Sequence, residues 1–548
     1  MRLKLPIPGS TARSRTVIVA GTLLAALVTG GWLLQRGART GTFTTYEGAR
    51  LFENVFRRIQ NDYVDAVSDS ALYVKSVDGM LYELRDPYST FLPPDRFARL
   101  NESTSGNYAG LGVEVDLRDG WLIVVAPLPG GPAERAGLQP GDRIIEIAGK
   151  QTKGWTNEEA SKLLRGKPGT MVTLKVERPG VATPLEFTVQ RNTIHQSAVR
   201  RTALLADDVG YIDLKAFSDS TAKELNGAVN GLLARGMKTL ILDLRTNPGG
   251  LLAQGVRVSD LFLNEGQKIV SMRGRLPDAN REYADTAQQR WPNLPLLVLV
   301  DGRSASAAEI VAGALQDHDR AVIIGTPTYG KGSAQTVIPF GDLGGLKITT
   351  ARWFTPVGRS ITRRQPNDDD TDDPQPPARE RYHTDGGRIV YGGGGITPDV
   401  VAGDSTTPIE EVNFMRALGA NTSHFRDAVT DYALFLKGTR GITAPDFVVT
   451  PAMREEVWNR MKARGVDIPR TVYDDAEPLV SRVIGFDIAR YVFGSDAEFR
   501  RRASVDKALQ KAQELAHGAK SEQDLLRRAM TMAPTATDSA TNGAGGGR

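Results

Sequence analysis

From residue 46 onward, apolar positions recur at three- and four-residue spacing: Leu51, Val55, Ile59 and Tyr63 lie within "GARLFENVFRRIQNDYV". That period predicts an amphipathic helix. A second helical stretch follows and ends in turn chemistry at Asp86-Pro87 and Pro93-Pro94. Residues 41–104 therefore read as a helical packing or platform segment with no visible chemistry. Over 105–192 the period falls to two. "LGVEVDL", "WLIVVAP", "DRIIEIAG", "MVTLKVE" and "LEFTVQ" are short alternating strands, interrupted by one helix, "TNEEASKLLRG", whose Thr156 and Glu159 form a capping box. From 207 to 353 strands alternate with helices: "VGYIDL", a helix from Thr221 to Arg235, "TLILDLR", a helix beginning near Leu251, "LPLLVLVD", a helix after Ser306, and "AVIIG". That order predicts a layered α/β domain spanning 193–405. Residues 361–395 are rich in Asp, Pro and Gly without periodicity, which predicts a solvated, disordered insertion. Helical patterning returns over 406–517, and 518–548 reads as a disordered tail.

The amino-terminus concerns location. Arg2, Lys4, Arg13 and Arg15 precede the uncharged stretch Thr16 to Leu34. As a helix, about 19 residues at ~1.5 Å each span roughly 28 Å, close to the hydrocarbon core of a bilayer. A cleaved signal would have a shorter apolar run and small residues at its end, whereas Trp32 and two leucines stand here. Residues 1–40 are thus expected to be a cytoplasmic tail and a transmembrane signal anchor. The basic residues before the span place the amino-terminus in the cytoplasm. Everything after about residue 40 is then extracytoplasmic, on the periplasmic side of a bacterial inner membrane.

Composition removes several chemistries. There are no cysteines, so disulfides, thiol nucleophiles and thiolate metal sites are excluded. A net charge of +4, from 68 basic and 64 acidic residues, is not segregated into a basic stripe, and nucleic acid is not the favoured partner.

The loop "GTPTYGKGSAQ", 325 to 335, invites two readings of Lys331. It begins like a phosphate loop, but a nucleotide site needs Ser or Thr directly after the lysine and a helix to receive the phosphates. Position 332 is Gly, and "SAQTVIPFGDLGGLKITTARWF" has strand-like order. The other reading makes Lys331 a base. Ser306 sits where "AAEIVAGALQ" begins a helix, beside free N–H groups and the positive end of the dipole, a setting suited to a nucleophile whose transition state carries an oxyanion. The structural alternative is that Ser304 or Ser306 only caps the helix. None of the five histidines is flanked by a catalytic pattern, so a lysine is the candidate activator. Its amine must be neutral, which means lowering a pKa of ~10.4 by roughly three units, or about 4 kcal/mol. Burial with no carboxylate nearby can supply that, and the loop carries no acidic residue. Gln335, four residues on, shares a face with Lys331 if the segment is a strand.

"SASAAEIVAGALQDHDRAVIIGTPTYGKGSAQ" resembles the signature of the carboxyl-terminal processing (tail-specific) proteases. The resemblance implies that Ser306 is the nucleophile, Lys331 the general base and Gln335 the orienter. Ala308 stands where the family usually has Ser. "LILDLRTNPGG" also matches and implies an oxyanion hole from the amides of Gly250 and Ala307. "YAGLGVEV" and "GGPAERAGLQPGDRIIEIAGK" are similar to a PDZ domain, which binds peptide carboxyl-termini by strand addition. By analogy the backbone of Gly110, Leu111 and Gly112 cradles the carboxylate, and Ala160, Leu163 and Leu164 are candidates for the side-chain pocket. The fold implied is an α/β core of the crotonase/Clp-protease type with an inserted PDZ domain, flanking helical segments and the transmembrane helix. The implied activity is a membrane-anchored serine endopeptidase that selects proteins by their carboxyl-termini and uses no metal or organic cofactor. A non-catalytic or autoinhibited PDZ scaffold is the rival from another class, and a nucleotide-binding loop is the third reading. An adaptor or activator protein and self-association are left open.

Overall fold

A computed structural model describes residues 44–363, 379–403 and 407–532. The apolar stretch Thr16–Leu34 lies outside the described residues, and among those residues no helix is long and apolar enough to cross a membrane. Two compact units divide the chain after Phe91.

The first unit holds helices α1 (Thr45–Asp62) and α2 (Asp69–Tyr82). Thr44 and Glu47 close a capping box on α1, and the Ser68 hydroxyl caps α2. Phe56 and Leu72 are buried, and the Phe56 ring lies 4.3 Å from that of Tyr73. The stripe of Leu51, Val55, Ile59 and Tyr63 that marked α1 in the sequence stays 37–56% exposed.

The second unit contains the β-rich domain. Its antiparallel sheet runs, in spatial order, β1 (Val113–Arg118), β2 (Trp121–Pro127), β3 (Arg143–Ile147), then, after helix α3 (Asn157–Leu164), β4 (Met171–Glu177) and β5 (Leu185–Gln190). In β4 only Val172, Leu174 and Val176 are buried, the two-residue period of a strand with one wet face. The chain enters and leaves this domain through a ladder that pairs Asn107–Gly110 with Asn192–His195.

The α/β core is built on a sheet in the order β6 (Val199–Leu204), β7 (Val209–Leu214), β8 (Thr239–Asp243), β9 (Leu296–Val300), β10 (Val322–Gly325) and, beyond the hairpin β11 (Ser333–Pro339) and β12 (Gly345–Phe354), β13 (Val400–Val401). Strand β6 is antiparallel to β7, and the other pairs are parallel. Ile212, Leu242, Val298 and Ile323 face one side with helices α4 (Thr221–Leu233), α5 (Leu252–Asp260) and α6 (Ala307–Asp317). Tyr211, Ile241, Leu297, Leu299 and Ile324 face the other. Both faces are apolar because parallel strands are covered on both sides.

The carboxyl-terminal region supplies two coverings. Helix α7 (Thr422–Thr439) and its neighbours form a core with Ile123 of β2. Arg464 pairs with Asp119 at 2.9 Å, Arg490 with Glu114 at 3.1 Å, and Arg118 Nε donates to Thr430 Oγ1 at 3.2 Å. Helices α8 (Lys507–Ala516) and α9 (Glu522–Met532) then lay Leu509, Leu515 and Leu525 on the second face of the core sheet.

Two expectations of disorder are corrected. Within 361–395, Arg381–His383 and Ile389–Tyr391 form a hairpin with Val390 buried. Three-residue strands are too short to show alternation, and this hairpin is anchored by Arg388, which pairs with Asp319 and Asp399 at 2.5 Å each. The tail assigned to 518–548 contains α9, which folds because Leu525 and Ala529 have a sheet face to cover. Residues 364–378 and 533–548 lie outside the described residues.

Leu525→Ala should therefore lower unfolding stability by about 2–5 kcal/mol in urea titration. Met530→Ala, at a position 63% exposed, should change it by less than about 0.5 kcal/mol.

Candidate active site

Three loops leave the carboxyl ends of β8, β9 and β10. The loop after β9 makes a turn in which the Asp301 amide donates to Ser304 Oγ at 2.9 Å and Ser304 Oγ donates to the Leu244 carbonyl at 2.8 Å. Ser304 is buried and spent on structure. Ser306 follows at φ 55°, ψ −115°, immediately before α6. A non-glycine residue held there stores about 1–3 kcal/mol of strain. The Ala307 amide is the first of the helix, one of those that a helix leaves without an internal acceptor.

The loop after β8 lies against it. Ala305 N donates to Asn247 O at 2.9 Å, and Asn247 Nδ2 donates to Leu214 O at 2.8 Å. Gly249 N donates to Asn247 Oδ1 at 2.8 Å, while Phe217 N donates to Gly249 O and Leu251 N to Phe217 O, at 3.0 and 2.7 Å. The Gly250 amide takes no part in these bonds. A Cβ on Gly249, at φ 89°, would sit 2.6 Å from Ala305 O, 2.8 Å from Ser306 Cβ and 2.9 Å from Ala307 N. Only glycine allows this approach. Arg245 of the same loop is tied to Asp243 and to Asp506, the cap of α8, at 2.7 Å each.

Lys331 lies in the loop after β10, partly buried, with its carbonyl accepting from Trp353 Nε1 at 3.0 Å. The flanking glycines admit neighbouring backbone: a Cβ on Gly330 would lie 3.1 Å from Arg363 N, and one on Gly332 3.3 Å from Thr362 N. The loop opens strand β11, not a helix, which removes the phosphate-binding geometry. One expectation about this lysine needs correction. Strand β11 starts at Ser333, so Lys331 lies before it and the alternation that was to align Gln335 with Lys331 does not reach the lysine; the extra residue at the register shift beside Gln335 is Thr350 of β12. Gln335 Nε2 donates to Ser333 Oγ at 2.9 Å and Thr349 Oγ1 at 3.2 Å. Helix α6 also brings the carboxyl group of Glu309 to the backbone of this loop.

Glu309 is fully buried. Its Oε2 accepts from Ser306 N at 2.8 Å and Lys331 N at 3.0 Å. Its Oε1 accepts from Thr328 Oγ1 at 2.6 Å and Gly330 N at 2.7 Å. Burial pushes the carboxyl above the ordinary range, while these four donors act in the opposite direction. The amides of residues 306 and 331, distant in sequence, thus meet on one oxygen atom. The Ser-x-x-Glu spacing of a capping box was the available signal for Glu309. Among the described residues no group of three or more His, Asp or Glu converges as metal ligands would.

Residues 208–370 match Peptidase family S41, 123–178 a PDZ domain, and 35–95 the activating protease CtpB N-terminal domain. The carboxy-terminal-processing protease of Bartonella bacilliformis is 41% identical over 321 residues, covering 58% of this chain and 73% of the relative. The chain belongs to the carboxy-terminal processing protease family. The carboxy-terminal processing protease CtpA of Bacillus subtilis is 35% identical to this protease over 350 residues, covering 64% and 73% of the two chains. Among solved structures, the photosystem II D1 C-terminal processing protease aligns with 70% of this chain and 99% of its own at 28% identity and a TM-score of 0.36.

In the PDZ domain of the protease, Gly110 ends the entry ladder, and the Leu111 and Gly112 carbonyls accept from Ala133 N and Leu128 N at 2.9 Å each. The Leu111, Ala160 and Leu164 side chains lie in the domain's own core. Leu163 packs at its edge, partly exposed.

Gly249→Ala should reduce peptidase turnover by about 100-fold or more, because the added carbon displaces the amides around Ser306. Turnover of a dye-quenched casein by the folded variant measures this.

Proposed function

We propose that the chain is a membrane-anchored serine endopeptidase that works by a Ser306–Lys331 dyad on proteins selected through their carboxyl-termini. The observation that carries this reading is the convergence of the Ser306 and Lys331 amides on Glu309 Oε2, with Ser306 in a strained conformation at the head of α6. Ser306 Oγ attacks the scissile carbonyl carbon, and the Lys331 amine takes its proton. The amides of Gly250 and Ala307 receive the oxyanion. The same proton passes to the departing amine as the tetrahedral intermediate collapses to the acyl-enzyme. Water, deprotonated by Lys331, then releases the acyl group and regenerates the serine. Gln335 orients the amine from the first residues of β11. The PDZ domain receives the substrate's terminal carboxylate on the backbone of Gly110, Leu111 and Gly112, and Leu163 borders the side-chain pocket.

Membrane anchoring is supported by the charge-free run Thr16–Leu34 behind four basic residues, which directs the catalytic part outside the cytoplasm.

With casein as substrate, Ser306→Ala should abolish turnover, a loss of at least about 10⁴-fold. Lys331→Ala should lose about 10²–10⁴-fold. Cleavage that persists in Ser306→Ala removes the serine from its role, and a wild-type chain without cleavage favours the scaffold.

The full-length chain should remain with the membrane pellet after alkaline carbonate extraction, and a chain starting at residue 41 should be released. Release of both would refute the anchor.

A further inference from the structure

We propose that Glu309 is a positioning residue that sets the distance between Ser306 and Lys331 by holding their backbone amides on one carboxylate oxygen. The inference rests on the dyad reading above. A carboxylate offers about four acceptor sites, and all four are occupied here: by Ser306 from the helix start, and by Thr328, Gly330 and Lys331 from the loop after β10. A capping box on an ordinary helix needs only the first of these bonds. The other three reach a different segment of chain. That segment is itself pinned: Ile396 N donates to Thr328 Oγ1 at 2.7 Å, Arg363 N to Gly330 O at 3.0 Å, and Tyr329 N to Ser304 O at 3.0 Å.

Helix stability alone does not account for an acid at this position. Position 309 is fully enclosed, among residues such as Ala307, Ala308 and Ile310 that are themselves buried. An apolar side chain of similar volume would fill it without the desolvation of a carboxylate. Only an acceptor with two equivalent oxygens can satisfy two pairs of donors that approach from two segments. Glutamine keeps the volume but presents one acceptor oxygen and one donor nitrogen, so one pair of N–H or O–H groups faces a donor. Either pair includes a donor from the lysine loop, which is then free to shift relative to Ser306.

The test uses the full chain and dye-quenched casein, with kcat and KM measured at a temperature where circular dichroism shows each variant folded. Glu309→Gln should lower kcat by about 100-fold with KM within about twofold, because a displacement near 1 Å at the reacting atoms costs that much. Leu525→Ala is the control for stability, since it weakens the fold far from these loops and should leave kcat per folded molecule unchanged. If Glu309→Gln has wild-type kcat, or lowers it only as far as its folded fraction falls, the proposal is overturned. Should Glu309→Gln not fold, Thr328→Val decides. It removes one donor to Glu309, together with the acceptor of the Ile396 amide, while keeping the shape; a fall in kcat of about 10-fold at unchanged KM is expected, whereas no fall overturns the proposal. Wild-type turnover in Lys331→Ala would instead sink the dyad reading, whatever the behaviour of position 309.

Discussion

Strands β7 to β10 are apolar on both sides, and neither side can be left to water without exposing a continuous band of aliphatic surface, so the loops at their carboxyl ends rest on two helical layers. The first layer comes from the helices that alternate with the strands. The second comes from the far end of the chain, where α8 and α9 close over Ile241, Leu297, Leu299 and Ile324. This arrangement also explains why the cap of α8 is joined to the site. Asp506 holds the first amides of that helix and the Arg245 guanidinium together, and Arg245 belongs to the loop that carries Gly249 and Gly250. The helix that covers the sheet thus also holds, through its cap, the loop of Gly249 and Gly250.

Within that frame the costs are local and of opposite kinds. Ser306 is held in a backbone conformation that a non-glycine residue avoids, and Glu309 is held where a carboxylate is poorly solvated. Each is tolerated because neighbouring contacts over-determine it. Four donors compensate Glu309, and the Ala305 amide and the Ser304 hydroxyl fasten the residues just before Ser306. Strain and a buried carboxyl group therefore meet at one helix start.

Much of this was legible in the pattern of residues, and what was hidden has a physical reason in each case. The strands of the core and the serine at the end of "LVLVD" follow from alternation and from the strand-to-helix junction. The capping spacing of Ser306 and Glu309 was also visible, but its second pair of donors comes from residues 328–331, and no local period connects those segments. Gln335 shows the opposite failure. A two-residue alternation was assumed across a stretch in which the strand has not begun at Lys331. The hairpin around Val390 and helix α9 were read as disorder because one is shorter than any detectable period and the other abuts a polar, glycine-rich end. Tertiary cover, from Asp319 and Asp399 for the hairpin and from the core sheet for α9, decides both.

The carboxyl-terminal helices also bear on the PDZ domain. Val113, Val115 and Leu117 of β1 pack inward, and the alternate residues Glu114, Asp116 and Arg118 face the helices. With Ile123 in the helical core and Leu434 against Gly141, the outer surface of β1 and β2 is covered, while β4 keeps its wet face. The helix Ser495–Ala503 continues the contact to the α/β core, where Phe499 lies 5.0 Å from the Tyr211 ring and Arg201 pairs with Asp496 at 2.5 Å. The PDZ domain is thus held twice, by the ladder through which the chain enters it and by a helical brace seated on the catalytic core. Exposed ion pairs contribute little each, so the brace draws its strength from the enclosed apolar contacts between them. Any rotation of the domain about its ladder has to separate those contacts, and Phe499 joins the brace to the cluster in which α8 and α9 cover the core sheet.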